Sequence, residues 1–526
     1  MRFARLAVML AFGASPAWAQ PVAGEGSGEA PVEPPSPTPE VAKAPIEVPP
    51  RPEPDPPKFD STPIVLDDKD VHFSAPPHRD AGFRFGSYGR VLAGSDLRGG
   101  KPEQVSVVGH GPRIVEDSYL ELEFSYGFER ERGNNHGGSS YIIVRPVITL
   151  AFDGTLFHDT GEFDAQPALR NMFLDARVRD GLTLWAGSRM YRGDDIYLFD
   201  YWPLDDINTV GAGIQYAPRV HILDEGDESL QGGAHVGFNR LNDEFQFQEI
   251  DVANPVQGAT TVEQLNRQRV VSSASLAYLS LPDGDGIGAK LKVHGEYHAL
   301  PSGTRKRMDG TLEPLPADKG FLLGAQLGAF GFSSDKRFRR HVNLFMRYAK
   351  GLAAFDELAP PMTFGPELKT SRANELTFGA SANWDFEFAN VMFGALSRRF
   401  VDADTNSTDP DDGWEYAIDV RPLLRVASDF FVGGDVSYQA RFPQGLNPIT
   451  LRASDPAVFQ LAPMFVWSPM GPSGYDRPQL RFVYRAAHLN QAALDLYVPD
   501  DPRHDDTWVH FLGVQAEWWF NSSTYR

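Results

Sequence analysis

The chain has 526 residues, of which 49 are Lys or Arg and 70 are Asp or Glu, so its formal net charge is −21. A chain this acidic lacks the basic footprint that phosphate recognition requires, which argues against nucleic acid as a partner. It contains no cysteine, so disulfides, thiolate metal sites and cysteine nucleophiles are all excluded.

The N-terminus has the pattern of a secretory signal peptide over residues 1–19. Arg2 and Arg5 precede an apolar core from Leu6 to Phe12, and Ala17-Trp18-Ala19 is a small-residue cleavage motif. The apolar core is too short to span a membrane. We therefore expect the mature chain to be exported.

Residues 20–82 are predicted to form a periplasmic arm or linker. Between Pro21 and Pro57, 13 of 37 residues are proline, a composition that favours extended polyproline II over a packed core. Two interpretations stay open for this segment. It is either a linker without a partner, or an arm that contacts the cell wall or another periplasmic partner.

Between residues 83 and 520, apolar and polar residues alternate in segments of about ten residues, which predicts β-strands. Leu480 and Phe482, for example, alternate with Gln479 and Arg481. Because successive strand residues point to opposite faces, each pair lies on one face of a sheet. Eighteen strands are predicted: 83–92, 117–128, 140–152, 169–177, 182–190, 207–217, 231–240, 269–281, 287–299, 319–332, 341–351, 374–386, 390–400, 413–425, 429–441, 456–468, 478–490 and 508–520.

The connections between these segments mostly alternate between long and short. An even strand number with long loops at one end and short turns at the other is typical of outer-membrane porins, and eighteen strands enclose an aqueous channel. The predicted fold class is therefore all-β: an 18-stranded antiparallel transmembrane β-barrel over residues 83–520, multi-pass in the Gram-negative outer membrane. Residues 521–526 would be a short C-terminal extension.

Several segments also carry sequence motifs in a shared order. They are Phe85–Arg90, Tyr119–Leu122, Pro167–Arg170, Leu184–Tyr191 continuing to Trp202, Gly211–Gly213, Arg477–Arg481 and Gly513–Trp519. In these segments the chain resembles the maltoporin (sugar-specific porin) family of Gram-negative outer membranes. The resemblance implies a homotrimer of barrels, each with an inward-folded constriction loop, for facilitated diffusion of malto-oligosaccharide-like sugars.

The resemblance also implies which residues contact sugar. The aromatic slide would consist of Tyr88, Tyr119, Trp202, Tyr475 and Trp519. The polar track beside it would consist of Arg90, Glu121, Arg170, Asp200 and Asp205. An aromatic ring suits the apolar C–H face of a pyranose, and charged groups suit its hydroxyl edges.

Strand parity agrees with part of this assignment. Tyr88 and Arg90 are two residues apart and so share a face, as do Tyr119 and Glu121. Trp202 and Tyr475 lie in or beside loops, where parity does not orient a side chain. The partners implied are oligosaccharides and outer-membrane lipid. No catalytic, metal-binding or cofactor motif is found, so neither enzyme activity nor a cofactor is expected.

Two departures from the family pattern keep other functions open. Gly193 stands where the family has an arginine in the inward loop, with Arg192 beside it. An aromatic that the family contributes from a neighbouring subunit has only Phe163 as its nearest candidate. The alternatives are a general or ion-selective porin without sugar affinity, or a structural envelope tether or surface receptor.

Overall fold

The computed structural model describes residues 81–521, apart from 134–138, 155, 162–165, 180, 221–226, 282–285, 333–338 and 406–410. The predicted signal peptide, nearly all of the predicted arm and most of the C-terminal extension lie outside these residues, as does Phe163. Among the described residues, no helix has the length and apolar character needed to cross a membrane.

Eighteen long antiparallel strands form one closed sheet in the described part of the chain. Each strand pairs with the next along the chain, and the last pairs with the first, where Trp519 lies opposite Tyr88. The strands are β1 (Gly82–Ser95), β2 (Tyr119–Gly133), β3 (Ser139–Asp153), β4 (Gln166–Arg179), β5 (Leu182–Arg192), β6 (Asp206–Tyr216), β7 (Asp227–Asn239), β8 (Arg269–Leu281), β9 (Ile287–Leu300), β10 (Asp318–Gly331), β11 (Arg340–Gly351), β12 (Asn374–Asp385), β13 (Ala389–Val401), β14 (Gly413–Arg425), β15 (Phe430–Pro443), β16 (Ala457–Trp467), β17 (Gln479–Leu489) and β18 (Trp508–Phe520).

The closed 18-stranded barrel confirms the predicted fold class, and every predicted strand overlaps an observed one. The largest differences are at strand ends: β2 continues to Gly133 and β7 begins at Asp227. Such shifts are expected because polarity alternation locates a strand better than its boundaries.

The remaining elements are short and lie in the connections. Two hairpins are formed by Phe247–Asn254 with Gly258–Asn266 and by Gly303–Lys306 with Leu312–Leu315, and Arg219–Val220 pairs with the start of β7. The helical turns are Phe157–Thr160, Tyr197–Phe199, Leu352–Ala354, Gln491–Leu494 and Pro502–Asp505. Long connections such as 96–118, 240–268 and 352–373 gather at one end of the barrel, the long-loop end, and the opposite end is the short-turn end.

The two faces of the barrel wall differ in polarity. Leu480 and Phe482 are exposed on the outer face, whereas Gln479 and Arg481 are buried on the inner face, as strand parity predicts. Leu461 lies on the outer face of the neighbouring strand. An apolar outer face around a polar interior suits lipid outside and water inside.

The connection between β5 and β6, residues 193–205, folds into the lumen, and we call it the constriction loop. Ile196 of this loop is fully buried against β12 and β13. A Cβ at Gly379 would lie 2.7 Å from the Ile196 side chain, and one at Gly394 would lie 3.1 Å from it. Both glycines therefore make room for the loop, and the predicted inward fold is confirmed.

A second inward segment was not predicted. Residues 103–115 of the connection between β1 and β2, which we call the first loop, also pack inside the barrel. Val107 packs in a cluster with Val458 of β16, and the Arg113 N–H donates to the carbonyl of Leu198 in the constriction loop at 2.9 Å. Because the first loop covers them, inward positions of β16 such as Val458 are apolar.

The lipid-facing assignment predicts a specific stability difference. Leu461→Arg, at the middle of β16, should lower the free energy of unfolding by about 2–4 kcal/mol because it places a charge in lipid. Leu312→Arg is the matched control, since Leu312 is 62% exposed in a long-loop hairpin and should change stability by less than about 0.5 kcal/mol. Denaturant titration in phospholipid vesicles measures both. An equal loss of unfolding free energy in the two variants would contradict the assignment of Leu461 to the lipid-facing surface.

Candidate functional site

Three aromatic rings follow one another along the lumen wall. The rings of Tyr119 on β2 and Tyr88 on β1 have centroids 6.0 Å apart, and that of Tyr88 is 6.5 Å from Trp519 on β18, nearly parallel to it. Tyr119 begins β2 at the long-loop end, whereas Trp519 lies near the short-turn end. The three rings therefore descend through the barrel.

Two further rings extend this row. Tyr197 of the constriction loop has its ring 6.1 Å from Trp519 and 5.5 Å from Tyr475, which lies in the connection between β16 and β17. We call the row Tyr119, Tyr88, Trp519, Tyr197 and Tyr475 the aromatic arc. Four of the rings belong to one buried cluster, and the partly buried Tyr119 packs against it.

The arc borders a small cavity of about 80 Å³, the aromatic cavity. Tyr88, Trp519, Tyr197 and Tyr475 line it, together with Trp202 of the constriction loop. The Arg192 guanidinium lies 3.7 Å from the centroid of the Trp202 ring. The structure thus brings four predicted aromatic residues to one cavity and keeps the fifth, Tyr119, in contact with Tyr88. Their contact with a sugar stays a prediction.

Glu121 and Arg170 form a charged group beside the first ring of the arc. The Arg170 guanidinium pairs with the Glu121 carboxylate. It also donates to the Tyr119 hydroxyl at 2.6 Å, and that hydroxyl donates to Glu121 at 2.6 Å. Two of the five predicted polar-track residues, Glu121 and Arg170, therefore lie next to Tyr119.

Arg90 and Asp200 meet farther along the arc. The Arg90 guanidinium lies 3.7 Å from the Asp200 carboxylate and 2.9 Å from that of Glu116. Arg113 of the first loop lies 3.9 Å from Asp200 and donates to the Tyr88 hydroxyl at 3.0 Å. Arg113 was missed because no local pattern marks a loop residue that folds inward.

Two acids of the constriction loop at the aromatic cavity differ in their ionisation. Burial raises the pKa of Asp195 to about 7, and the nearby Asp200 carboxylate acts in the same direction. Burial alone would also raise the pKa of Asp200, but Arg113 and Arg90 hold it below its usual value. Asp200 is therefore the permanent anion of the pair.

Asp205 lies apart from the aromatic cavity. Its carboxylate is buried and accepts hydrogen bonds from the Lys292 ammonium of β9 at 2.8 and 2.6 Å. A Cβ at Gly193 would lie 2.3 Å from an Asp205 oxygen, so any side chain at this position would require the Asp205 carboxylate to move. Asp194, near the start of the same loop, pairs with Lys290. These pairs tether the loop to β9.

Glu517 of β18 forms a buried hub on the opposite side. Its carboxylate accepts hydrogen bonds from Arg477 at 3.0 Å, Arg481 at 2.7 Å and Arg113 at 3.2 Å. It also accepts one from the Tyr197 hydroxyl at 2.8 Å. Together these groups join the wall, the first loop and the constriction loop, which no sequence spacing predicts.

A closed barrel with an apolar outer face, charged groups along its lumen and inward loops is the architecture of an outer-membrane channel. The model of the LamB porin family matches residues 83–520. The chain belongs to this family, which confirms the resemblance found in its sequence motifs and the expected Gram-negative outer-membrane location.

Several solved outer-membrane proteins match the chain at low sequence identity. OccAB2 of Acinetobacter baumannii has a TM-score of 0.40 at 10% identity, over 84% of this chain and 99% of that chain. OccD3 (OpdP) of Pseudomonas aeruginosa has a TM-score of 0.39 at 10% identity, over 84% of this chain and 91% of that chain. Wzi of Escherichia coli, described as a carbohydrate-binding β-barrel, has a TM-score of 0.36 at 9% identity, over 84% of this chain and 86% of that chain. No curated protein matches the chain by sequence.

The tether to β9 predicts different roles for two adjacent acids. Asp205→Asn should lower the free energy of unfolding by about 3 kcal/mol, because it leaves the buried Lys292 ammonium without its counter-charge. Asp206→Asn should lower the free energy of unfolding by less than about 1 kcal/mol. The Asp206 carboxylate pairs with Arg192 at 2.8 Å, but its side chain is 44% exposed. Denaturant titration of both variants in vesicles checks this. A loss for Asp206→Asn that equals the loss for Asp205→Asn would contradict the tether.

Proposed function

We propose that the channel carries malto-oligosaccharide-like sugars across the outer membrane by facilitated diffusion along the aromatic arc. The observation that carries the proposal is the continuity of the arc, in which neighbouring ring centroids are 5.5 to 6.5 Å apart. A sugar that leaves one ring therefore meets the next without returning to bulk water.

The chemistry of the lining suits such a solute. The apolar C–H face of each pyranose packs on a ring, while its hydroxyls exchange hydrogen bonds with charged groups such as Arg90, Asp200 and Glu121. Several weak sites in series allow a sugar to enter and also to leave. Diffusion needs no chemical step, so the proposal assigns no catalytic residue and no cofactor.

The assembly and the N-terminal segments complete the proposal. Three copies are expected to associate in the outer membrane, as the family resemblance implies. Residues 1–19 would direct export, and the proline-rich segment up to residue 82 would remain in the periplasm as a linker or as an arm with a cell-wall partner.

A general or ion-selective porin is the second candidate. One observation favours it: many charged groups in the constriction already pair with one another. Arg113 bonds Glu517 at 3.2 Å, Arg90 pairs with Glu116 at 2.9 Å and Lys292 with Asp205 at 2.6 Å. Donors occupied in this way contribute less to sugar binding.

Single-channel current in a planar bilayer separates the two candidates. Saturable block by maltotriose, added to the unmodified channel, is the result that the sugar channel predicts. A steady current that maltotriose does not alter would contradict sugar transport and support the general porin.

Adjacent tryptophans at the end of β18 allow a matched test of the arc. Trp519→Ala should raise the maltotriose Kd about tenfold, because an aromatic platform inside the lumen is lost. Trp518→Ala should leave the Kd unchanged, since Trp518 lies on the outer face against Gly89. The sugar-free conductance should stay near that of the unmodified channel in both variants. Equal Kd values for the two variants would contradict a sugar path over Trp519.

A further inference from the structure

The aromatic arc contains one ring that neither strand parity nor the family resemblance assigns. Tyr197 lies on the constriction loop, between Trp519 of the wall and Tyr475 of the connection between β16 and β17. Its ring is tilted by 73° to Trp519 and by 62° to Tyr475. Trp519 and Tyr475 make no ring contact with each other among the described residues. Tyr197 is therefore the residue that joins Tyr475 to the rest of the arc.

The setting of Tyr197 matches that of the predicted slide residues. Its exposed fraction is 6%, against 7% for Tyr88 and Trp519 and 8% for Tyr475. All four line the aromatic cavity. In the order of ring contacts, Tyr197 stands between Trp519 and Tyr475.

Protein groups already occupy the hydroxyl of Tyr197. It donates to Glu517 at 2.8 Å and accepts from Arg477 at 2.5 Å and from Arg481 at 3.2 Å. The Arg113 guanidinium lies 4.7 Å from the ring centroid. These contacts hold the ring in place and leave no free hydroxyl, so any contribution of Tyr197 to a passing solute comes from the ring itself.

We propose that Tyr197 is a specificity-determining residue of the channel, whose ring bridges the sugar path between Trp519 and Tyr475. The inference rests on the proposed function, because it gives the same path one more contact. A bridging ring matters most to a sugar long enough to occupy both sides of it. Tyr197 thus favours longer malto-oligosaccharides over shorter ones.

The same loop provides a matched control. Tyr201 is also buried, with 5% exposed, and its hydroxyl accepts a hydrogen bond from Arg347 at 3.1 Å. Its ring stacks on His110 at 4.0 Å and borders a different cavity. Tyr201 lies in the same buried cluster as the arc but makes no ring contact with it among the described residues, so removing its ring loosens the same loop and leaves the row of rings complete.

The test compares Tyr197→Leu with Tyr201→Leu in planar bilayers, with maltose and maltopentaose as probes. Tyr197→Leu should raise the maltopentaose Kd about fivefold and the maltose Kd less, since one aromatic platform is lost. Tyr201→Leu should leave both Kd values within about twofold. Tyr197→Phe should also stay within about twofold, because the ring remains. Tyr197→Met, which fills the space without a ring, repeats the test if the leucine variant does not form channels.

The outcomes separate this inference from the proposed function. An unmodified channel that neither sugar blocks would contradict the proposed function and the inference with it. Normal block of the unmodified channel that persists unchanged in Tyr197→Leu would overturn the inference alone. An equal loss in Tyr201→Leu would overturn it as well, because a loosened loop would then explain the effect.

Discussion

The geometry of the lumen depends on the buried ion pair and the buried hydrogen bond that hold the constriction loop between opposite walls. On one side the Lys292 ammonium of β9 holds Asp205 at 2.6 Å. On the other side the Glu517 carboxylate of β18 accepts a hydrogen bond from the Tyr197 hydroxyl at 2.8 Å. Buried charges of this kind are costly to leave unpaired, so the loop has one favoured position. That position determines where Tyr197, Trp202 and Asp200 face the lumen.

This arrangement explains how a polar channel can carry a row of aromatic rings, most of them buried. Charged partners bond the hydroxyls of Tyr119, Tyr88 and Tyr197, which leaves the rings to form a continuous apolar strip. The strip and the charged groups beside it offer the two kinds of surface that a pyranose presents. The side chains that anchor the loops electrostatically are thus the same ones that the proposed sugar path would use.

Strand parity predicted the barrel and its inward residues because a period of two is a local property of the sequence. Tyr88, Tyr119 and Trp519 could be oriented from that pattern. Tyr197 and Arg113 could not, since each lies in a loop whose path depends on partners far away in the chain. For the same reason the sequence pattern gave no sign that the first loop covers inward positions of β16 such as Val458.

The central claim is that sugar follows the aromatic arc through the constriction. A crystal structure of the trimer or monomer with bound maltohexaose tests it most directly. The account predicts pyranose rings packed against Tyr88 and Trp519, with the chain continuing past Tyr197 towards Tyr475. Maltohexaose bound away from these rings, or a lumen that stays free of sugar at saturating concentration, would contradict it.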